Sequence, residues 1–171
     1  MAVRRYQFDV DDGSPEITYF PFVNLEPTSN VSAGWQFLYS VSGAATGPGQ
    51  VGVGSSYHYT SLSGASLMIS WNGMSTTLPP SSDRSTGVLI GTGIDLVGSV
   101  RNALYNISLD GFPSAYFADP TNSILASFHD LENTNHSLLL TTIITNSTSP
   151  DAFLTLDQAT ITYAPPTGIL K

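Results

Sequence analysis

The stretch FDVDDGSPEITY, residues 8–19, places Asp9, Asp11, Asp12 and Glu16 within eight positions of a chain with thirteen acidic residues in all. Clustered carboxylates lend themselves to three kinds of chemistry. They can hold a hard cation such as calcium through oxygen ligands. Two of them at a suitable separation can carry out glycoside hydrolysis as acid and base or nucleophile. An Asp before Gly and Pro can also bond nearby backbone N–H groups and shape a turn. The EF-hand form of a calcium loop fails on spacing. Counted from Asp9, loop position 5 is Gly13, position 6 is Ser14 and position 12 is Phe20, where that loop needs an oxygen ligand, a glycine and a glutamate. A calcium site of another kind stays open. For hydrolysis, Asp95, Asp110 and Asp157 are candidate partners for Asp11 or Asp12. Asp110 precedes Gly111 where an alternating segment enters a turn, and there Asp commonly bonds backbone while Gly takes the positive φ. Asp157 follows the apolar run FLTL. A carboxylate facing the core at that point needs hydrogen-bond partners or a ligand.

Other site chemistries find little support. The nucleophile elbow G-x-S-x-G does not occur, and neither do HExxH or His-x-His. The glycine-rich GPGQVGVGSS has neither the Walker lysine nor the G-x-G-x-x-G spacing. With no cysteine, thiol nucleophiles, disulfides, zinc–thiolate sites and iron–sulfur clusters are excluded. The three histidines, His58, His129 and His136, read as surface or half-buried residues rather than as bases. Sugar recognition has a better candidate in DGFPSAYFADPTN, residues 110–122. Phe112, Tyr116, Phe117 and Asp119 there combine aromatic faces with a hydrogen-bonding carboxylate. A second aromatic pair, Tyr57 and Tyr59, shares one face of a strand with His58 on the other, and is expected to point into the core.

These residues must be positioned by strands. Alternation of period two dominates, and no segment sustains a helical period. ASLMISW puts Ala65, Leu67, Ile69 and Trp71 on one face with Met68 opposite. LYNISLDG puts Tyr105, Ile107 and Leu109 inward and Asn106 outward. RYQFDV alternates Tyr6, Phe8 and Val10, and GWQFLYSVS aligns Trp35, Phe37, Tyr39 and Val41. The last run, AFLTLDQATITY, changes parity around Asp157–Gln158, which a bulge would explain. DDGSP, TGPGQ, TTLPPSSD, DGFPS, ADPTN and NSTSP mark turns. The segments 43–56 and 72–87 read as surface loops. Many short strands between such turns predict an all-β fold, an antiparallel β-sandwich or barrel. The 171 residues suit one domain, expected over 1–164, with 165–171 as a C-terminal tail after Pro165.

Composition points to a compartment and excludes partners. Only 11% of residues are charged, against about 25% in ordinary soluble proteins. The 23 Ser and 18 Thr must supply most of the polar surface. The net charge is −8, and Arg4, Arg5, Arg84 and Arg101 are scattered, so nucleic-acid binding and adhesion to anionic membranes, which need clustered cations, are rejected. Four N-x-S/T sequons, at Asn30, Asn106, Asn135 and Asn146, are candidate glycosylation sites and favour a secretory route. MAVRRYQFDV has no apolar core of a signal peptide, so a native leader is expected to lie outside this sequence.

The segments DDGSPEITY, Trp35, SLSGASLMISWNG, GTGIDLVGS, YNISLDG, ILASFHDLENTNHSLLLTT and FLTLDQATITY occur in an order that resembles a family of fungal, mainly mushroom-type, extracellular domains similar to galactose-binding-domain-like β-sandwiches, or jelly rolls. Asp11, Asp12, Ile17, Tyr19, Trp35, Gly64, Ala65, Ser66, Gly98, Tyr105, Leu109, Asp110, Gly111, His136, Leu138 and Asp157 carry the match. Residues 74–90 depart from it, standing where the pattern is nearly continuous. The resemblance implies a secreted or cell-surface module without catalysis, binding a glycan or wall polysaccharide. It also implies first and last strands side by side. Asp11 and Asp12 would then approach Asp157, and these three are the expected ligands of a structural calcium. A self-associating adhesive wall protein is the alternative function; a glycoside hydrolase using paired Asp is the second.

Overall fold

The structure is a computed structural model. It describes residues 5–23, 31–39, 56–73, 91–114, 123–132, 134–145 and 151–163. Eleven strands are described: β1 (Tyr6–Asp11), β2 (Ile17–Phe20), β3 (Gln36–Tyr39), β4 (Ser56–Thr60), β5 (Ser66–Asn72), β6 (Gly93–Arg101), β7 (Leu104–Leu109), β8 (Phe112–Ser114), β9 (Ile124–Phe128), β10 (Asn135–Ile143) and β11 (Phe153–Tyr163). They form an antiparallel β-sandwich. One sheet has the order β3-β4-β11-β6-β9 with β1 also on β11, and the other has the order β2-β5-β10-β7-β8.

Strands β4 to β11 pair as a nested ladder: β7 with β8, β6 with β9, β5 with β10 and β4 with β11, all antiparallel. Successive pairs fall in alternate sheets, which makes a jelly roll. At its centre is the two-residue hairpin Asp110-Gly111. Both residues have positive φ, 53° and 81°, the turn geometry that matches strand twist and that Asp-Gly favours. The turn chemistry of Asp before Gly predicts the positive φ at Gly111; the structure uses it at both residues.

The core is built by the expected alternation. Leu67, Ile69 and Trp71 of β5, Tyr105 and Ile107 of β7, and Leu138 and Leu140 of β10 are buried. From the other sheet Ile94, Leu96, Leu154, Leu156, Ala159 and Ile161 meet them. Each fully buried large aliphatic side chain contributes roughly 1.5–3 kcal/mol. Other expectations change. Tyr6 and Phe8 are exposed and only Val10 of their strand is buried. Tyr57 and Tyr59 are half-buried, while His58 between them is buried. Ser56, assigned to a loop over 43–56, opens β4. The rest of that loop, residues 74–87 and the tail 165–171 lie outside the described residues.

Strand β11 organises its sheet. Along one side it pairs with β6, from Phe153↔Arg101 to Thr162↔Gly93. Along the other it has two shorter partners, β4 opposite Leu154–Leu156 and β1 opposite Gln158–Tyr163. The register of the β6 pairing shifts between Leu156 and Gln158, the bulge that the parity change predicts. Asp157 therefore stands where β11 passes from one partner to the next. The first and last strands are neighbours, as the resemblance implies. Gly98 faces this bulge, opposite Leu156. A Cβ there would press on the Thr155 carbonyl and lie 2.8 Å from Leu125 Cδ1. Gly98→Ala is expected to lower the unfolding free energy by about 1–3 kcal/mol, read as a lower urea midpoint at unchanged slope.

Candidate functional site: a buried carboxylate beneath exposed rings

The acidic segment folds as a turn at the end of β1. The Ser14 N–H donates to the Asp11 carbonyl at 2.9 Å and the Ile17 N–H to the Ser14 carbonyl at 3.1 Å, and the Ser14 hydroxyl bonds Glu16. The turn delivers Asp12 into the interior, where its side chain is wholly buried. Its N–H donates to the Asp157 carbonyl at 3.2 Å, spanning the gap between the two half-length partners of β11. Its carboxylate reaches the start of β4: the Ser56 hydroxyl donates to Oδ1 at 2.5 Å and His58 Nδ1 lies 2.7 Å from Oδ2. From the opposite sheet, the Tyr19 hydroxyl donates to the Asp12 carbonyl at 2.9 Å. The Tyr19 ring stacks on the imidazole with centroids 3.9 Å apart and planes 8° from parallel. Burial, then the Asp12 and Asp11 charges, push the Tyr19 phenol far above its ordinary range, which keeps it a donor.

Around this hub the rings open to solvent. Phe22 and Phe37 are 48% and 49% exposed, with centroids 5.7 and 5.3 Å from that of His58. Trp35 is fully buried against Tyr19, 5.2 Å between centroids. A bridge between Phe22 and Trp35 joins the edge strand of one sheet to that of the other. In it the Trp35 N–H donates to the Pro21 carbonyl at 2.8 Å and the Val23 N–H to the Trp35 carbonyl at 2.9 Å. Only glycine fits beside it at position 34, where a Cβ would press on the Pro21 carbonyl and come within 2.9 Å of Val23 Cγ2. Asp11, exposed at the rim, has its carboxyl pushed up by partial burial, then by its hydrogen bond to Asp12 and the Asp12 charge. A methyl-sized point above Gly13 lies 3.9 Å from both Asp11 Oδ2 and Phe37 Cε2. The Phe37 ring and the Asp11 carboxyl thus stand close together at the rim.

The same residues do not form a hydrolytic triad. That relay needs the serine hydroxyl on the histidine, whereas Ser56 donates to Asp12. At the other end of the sheet, His129 Nε2 lies 2.9 Å from Ser127 Oγ and 3.2 Å from Asp95 Oδ1. Both groups meet one nitrogen, where a triad needs opposite ones. Asp11, Asp12 and Asp157, the three expected calcium ligands, are neighbours in the backbone because the first and last strands lie side by side. Both Asp12 oxygens, however, face protein donors. Among the described residues no three His, Asp or Glu side chains are grouped to hold an ion.

Asp110 bonds backbone, but across to β10 rather than within its own turn. Its Oδ2 lies 2.8 Å from His136 Nδ1 and its Oδ1 accepts the Ser137 N–H at 2.8 Å, so the carboxylate ties the hairpin to β10. His136 Nε2 donates to the Glu132 carbonyl at 2.7 Å. Burial pushes the Asp110 carboxyl up, but the hydrogen bonds from His136 and Ser137 and the His136 charge outweigh it and hold the carboxyl below its ordinary value of 3.8.

Of the expected glycan-binding residues, Phe112 is on β8 and 76% exposed; Tyr116, Phe117 and Asp119 lie outside the described residues. Asn106 and Asn135 are exposed, and Asn30 and Asn146 lie outside. Sequence reasoning missed Ser56, His58, Phe22 and Phe37. The pattern SYHYT held the signal, since Ser56, His58 and Thr60 share a face. A polar face opposite two tyrosines reads as outward, but Ser56 and His58 turn inward to meet the buried Asp12.

No protein-family model and no curated protein sequence matches the chain. Solved structures share its fold. A family two carbohydrate esterase from Cellvibrio japonicus superposes with a TM-score of 0.54 at 12% identity, over 98% of this chain and 37% of that one. A two-domain esterase active on acetylated mannans, co-crystallised with mannopentaose, gives 0.52 at 10% identity, over 95% and 38%. This chain therefore spans little more than a third of either esterase, and the likeness is one of fold.

Two outcomes test the hub and the hairpin. Asp12→Ala strands two buried donors and is expected to cost about 3–5 kcal/mol, measured by chemical denaturation. Because the folded-state pKa of Asp110 is depressed, the stability it contributes is present above the ordinary Asp range and is lost as pH falls through its folded value. Asp110→Asn is expected to remove that part of the acid dependence in melts taken from pH 6 downward.

Proposed function

We propose that this chain is a non-catalytic carbohydrate-binding module of an extracellular or cell-surface protein, with Phe22, Phe37 and Asp11 as its sugar-contacting surface. The observation that carries the reading is the pair of half-exposed rings packed on His58, which Asp12 holds and Tyr19 stacks on, with the Asp11 carboxyl near Phe37. Aromatic rings supply large, rigid contact area, and these stand on strands and on the bridge that joins the sheets. The scarcity of charge, the Ser/Thr-rich surface and the sequons support the extracellular reading. The serine–histidine geometries described above support a module without hydrolysis. The mannan-active esterase that shares the fold makes mannans the first ligands to try.

Purified protein is to be tested on immobilised mannan, acetylated mannan, xylan, cellulose and chitin, and with mannopentaose in solution. Retention on at least one polysaccharide is expected. Phe37→Ala or Phe22→Ala should weaken it about tenfold at unchanged melting temperature, with Phe112→Ala binding as the parent does. Loss through Phe112→Ala alone would move the site to residues 110–122. Retention on no polysaccharide would sink the reading, and release of sugar or acetate by the chain would end its non-catalytic part.

A further inference from the structure

The two sheets differ in charge. Strands β2, β5, β7, β8 and β10 read ITYF, SLMISWN, LYNISL, FPS and NHSLLLTTI, without one Asp, Glu, Lys or Arg. The other sheet carries Asp9, Asp11, Asp95, Arg101 and Asp157 on its strands. The uncharged sheet also exposes apolar side chains on its outer face: Phe20 at 70%, Met68 at 44%, Leu104 at 42% and Leu139 at 41%. Met68 and Leu139 are direct cross-strand partners. Charged side chains are the usual protection of such a face against association, and these strands have none.

Two sequons lie on that face in the same arrangement. In Asn106-Ile107-Ser108 and Asn135-His136-Ser137 the middle residue is buried, Ile107 at 1% and His136 at 6%, so the Asn and Ser of each project outward together. Both Asn side chains are exposed. Asn106 is paired with Thr141, and Leu139 with Ser108. Asn106 therefore stands one row from Leu139 and, along its own strand, one row from Leu104. Asn135 stands two rows from Leu139 on β10. A bulky solubilising modification at Asn106 would stand between Leu104 and Leu139, and one at Asn135 would stand beyond Leu139 on the same face.

We propose that Asn106 and Asn135 carry N-linked glycans that cover the outer face of the uncharged sheet and keep it from pairing with a second copy of the chain. This does not rest on the glycan-binding reading, which concerns the rings at the edge where the two sheets join. The test is expression through the secretory pathway of a eukaryotic host. Treatment of the folded protein with peptide N-glycosidase F should lower its intact mass and convert Asn106 and Asn135 to Asp in peptide maps. Light scattering should show the molar mass of the treated protein rising about twofold or more at concentrations where the glycosylated form is monomeric. The variant Met68→Ser/Leu139→Thr should stay monomeric after the same treatment. An unmodified Asn106 or Asn135 would overturn the proposal. Because the treatment leaves Asp at both positions, the control is unglycosylated protein made in bacteria, whose Asn106 and Asn135 stay uncharged; if that protein also stays monomeric, the covering role is overturned. Treating folded protein keeps the readout independent of whether Asn106→Gln/Asn135→Gln folds.

Discussion

One buried residue, Asp12, ties together four elements of the sandwich. Withdrawing an ionised Asp from water costs several kcal/mol unless its oxygens meet donors in good geometry. At Asp12 they do, and the donors come from the start of β4. The peptide N–H of the same residue closes onto the carbonyl of Asp157, where β11 bulges between its two partners. The Tyr19 hydroxyl reaches its carbonyl from the facing sheet. Such a group tolerates little displacement, because any donor that moves away leaves charge unmatched in a low dielectric. The end of β1, the start of β4, the bulge of β11 and the edge of the second sheet are thus all referred to one residue, β4 through its carboxylate and the other two through its peptide N–H and carbonyl.

The exposed rings inherit that rigidity. Phe37 is paired with His58 in register, and Phe22 lies on the short bridge to Trp35, so both are placed by backbone pairing rather than by loop conformation. A surface held this way would have little ordering entropy left to lose if a ligand bound to it. The molecule has a second asymmetry. Acidic groups gather on the sheet that contains both chain-end strands, and the opposite sheet is neutral and hydroxyl-rich.

Much of the fold was legible because alternation and turn chemistry were consistent along the chain. The inward faces of β5 and β7, the bulge near Asp157, the turn at DDGSP and the pairing of first and last strands all followed from residue pattern or resemblance. The errors share a cause. In SYHYT the apolar alternation pointed Tyr57 and Tyr59 inward, yet the core-side partner of that strand is a carboxylate, and polar residues turn to meet it. Period-two patterning assumes an apolar interior and fails where the interior is charged. Tyr6 and Phe8 illustrate another limit. Alternation identifies the strand but not its place in the sheet, and a strand laid beside half of β11 leaves most of its side chains uncovered. The candidate site was legible only as acidic residues. The rings above it come from strands distant in sequence and meet only through the sheet order.

The nested ladder also sets an order in time. The Asp110-Gly111 hairpin closes a loop of two residues, whereas β4 finds β11 only after the chain between Thr60 and Leu154 has been drawn in. Chain entropy favours the inner rungs first, and pairing between residues this far apart makes for slow folding. Asp12 can engage His58 only when β1, β4 and β11 are all in place, so it acts as the latch of a rolled hairpin. Contacts formed that late are absent from the barrier to folding and present in the barrier to unfolding. The acidic turn near the start of the chain therefore governs how long the domain stays folded more than how fast it folds.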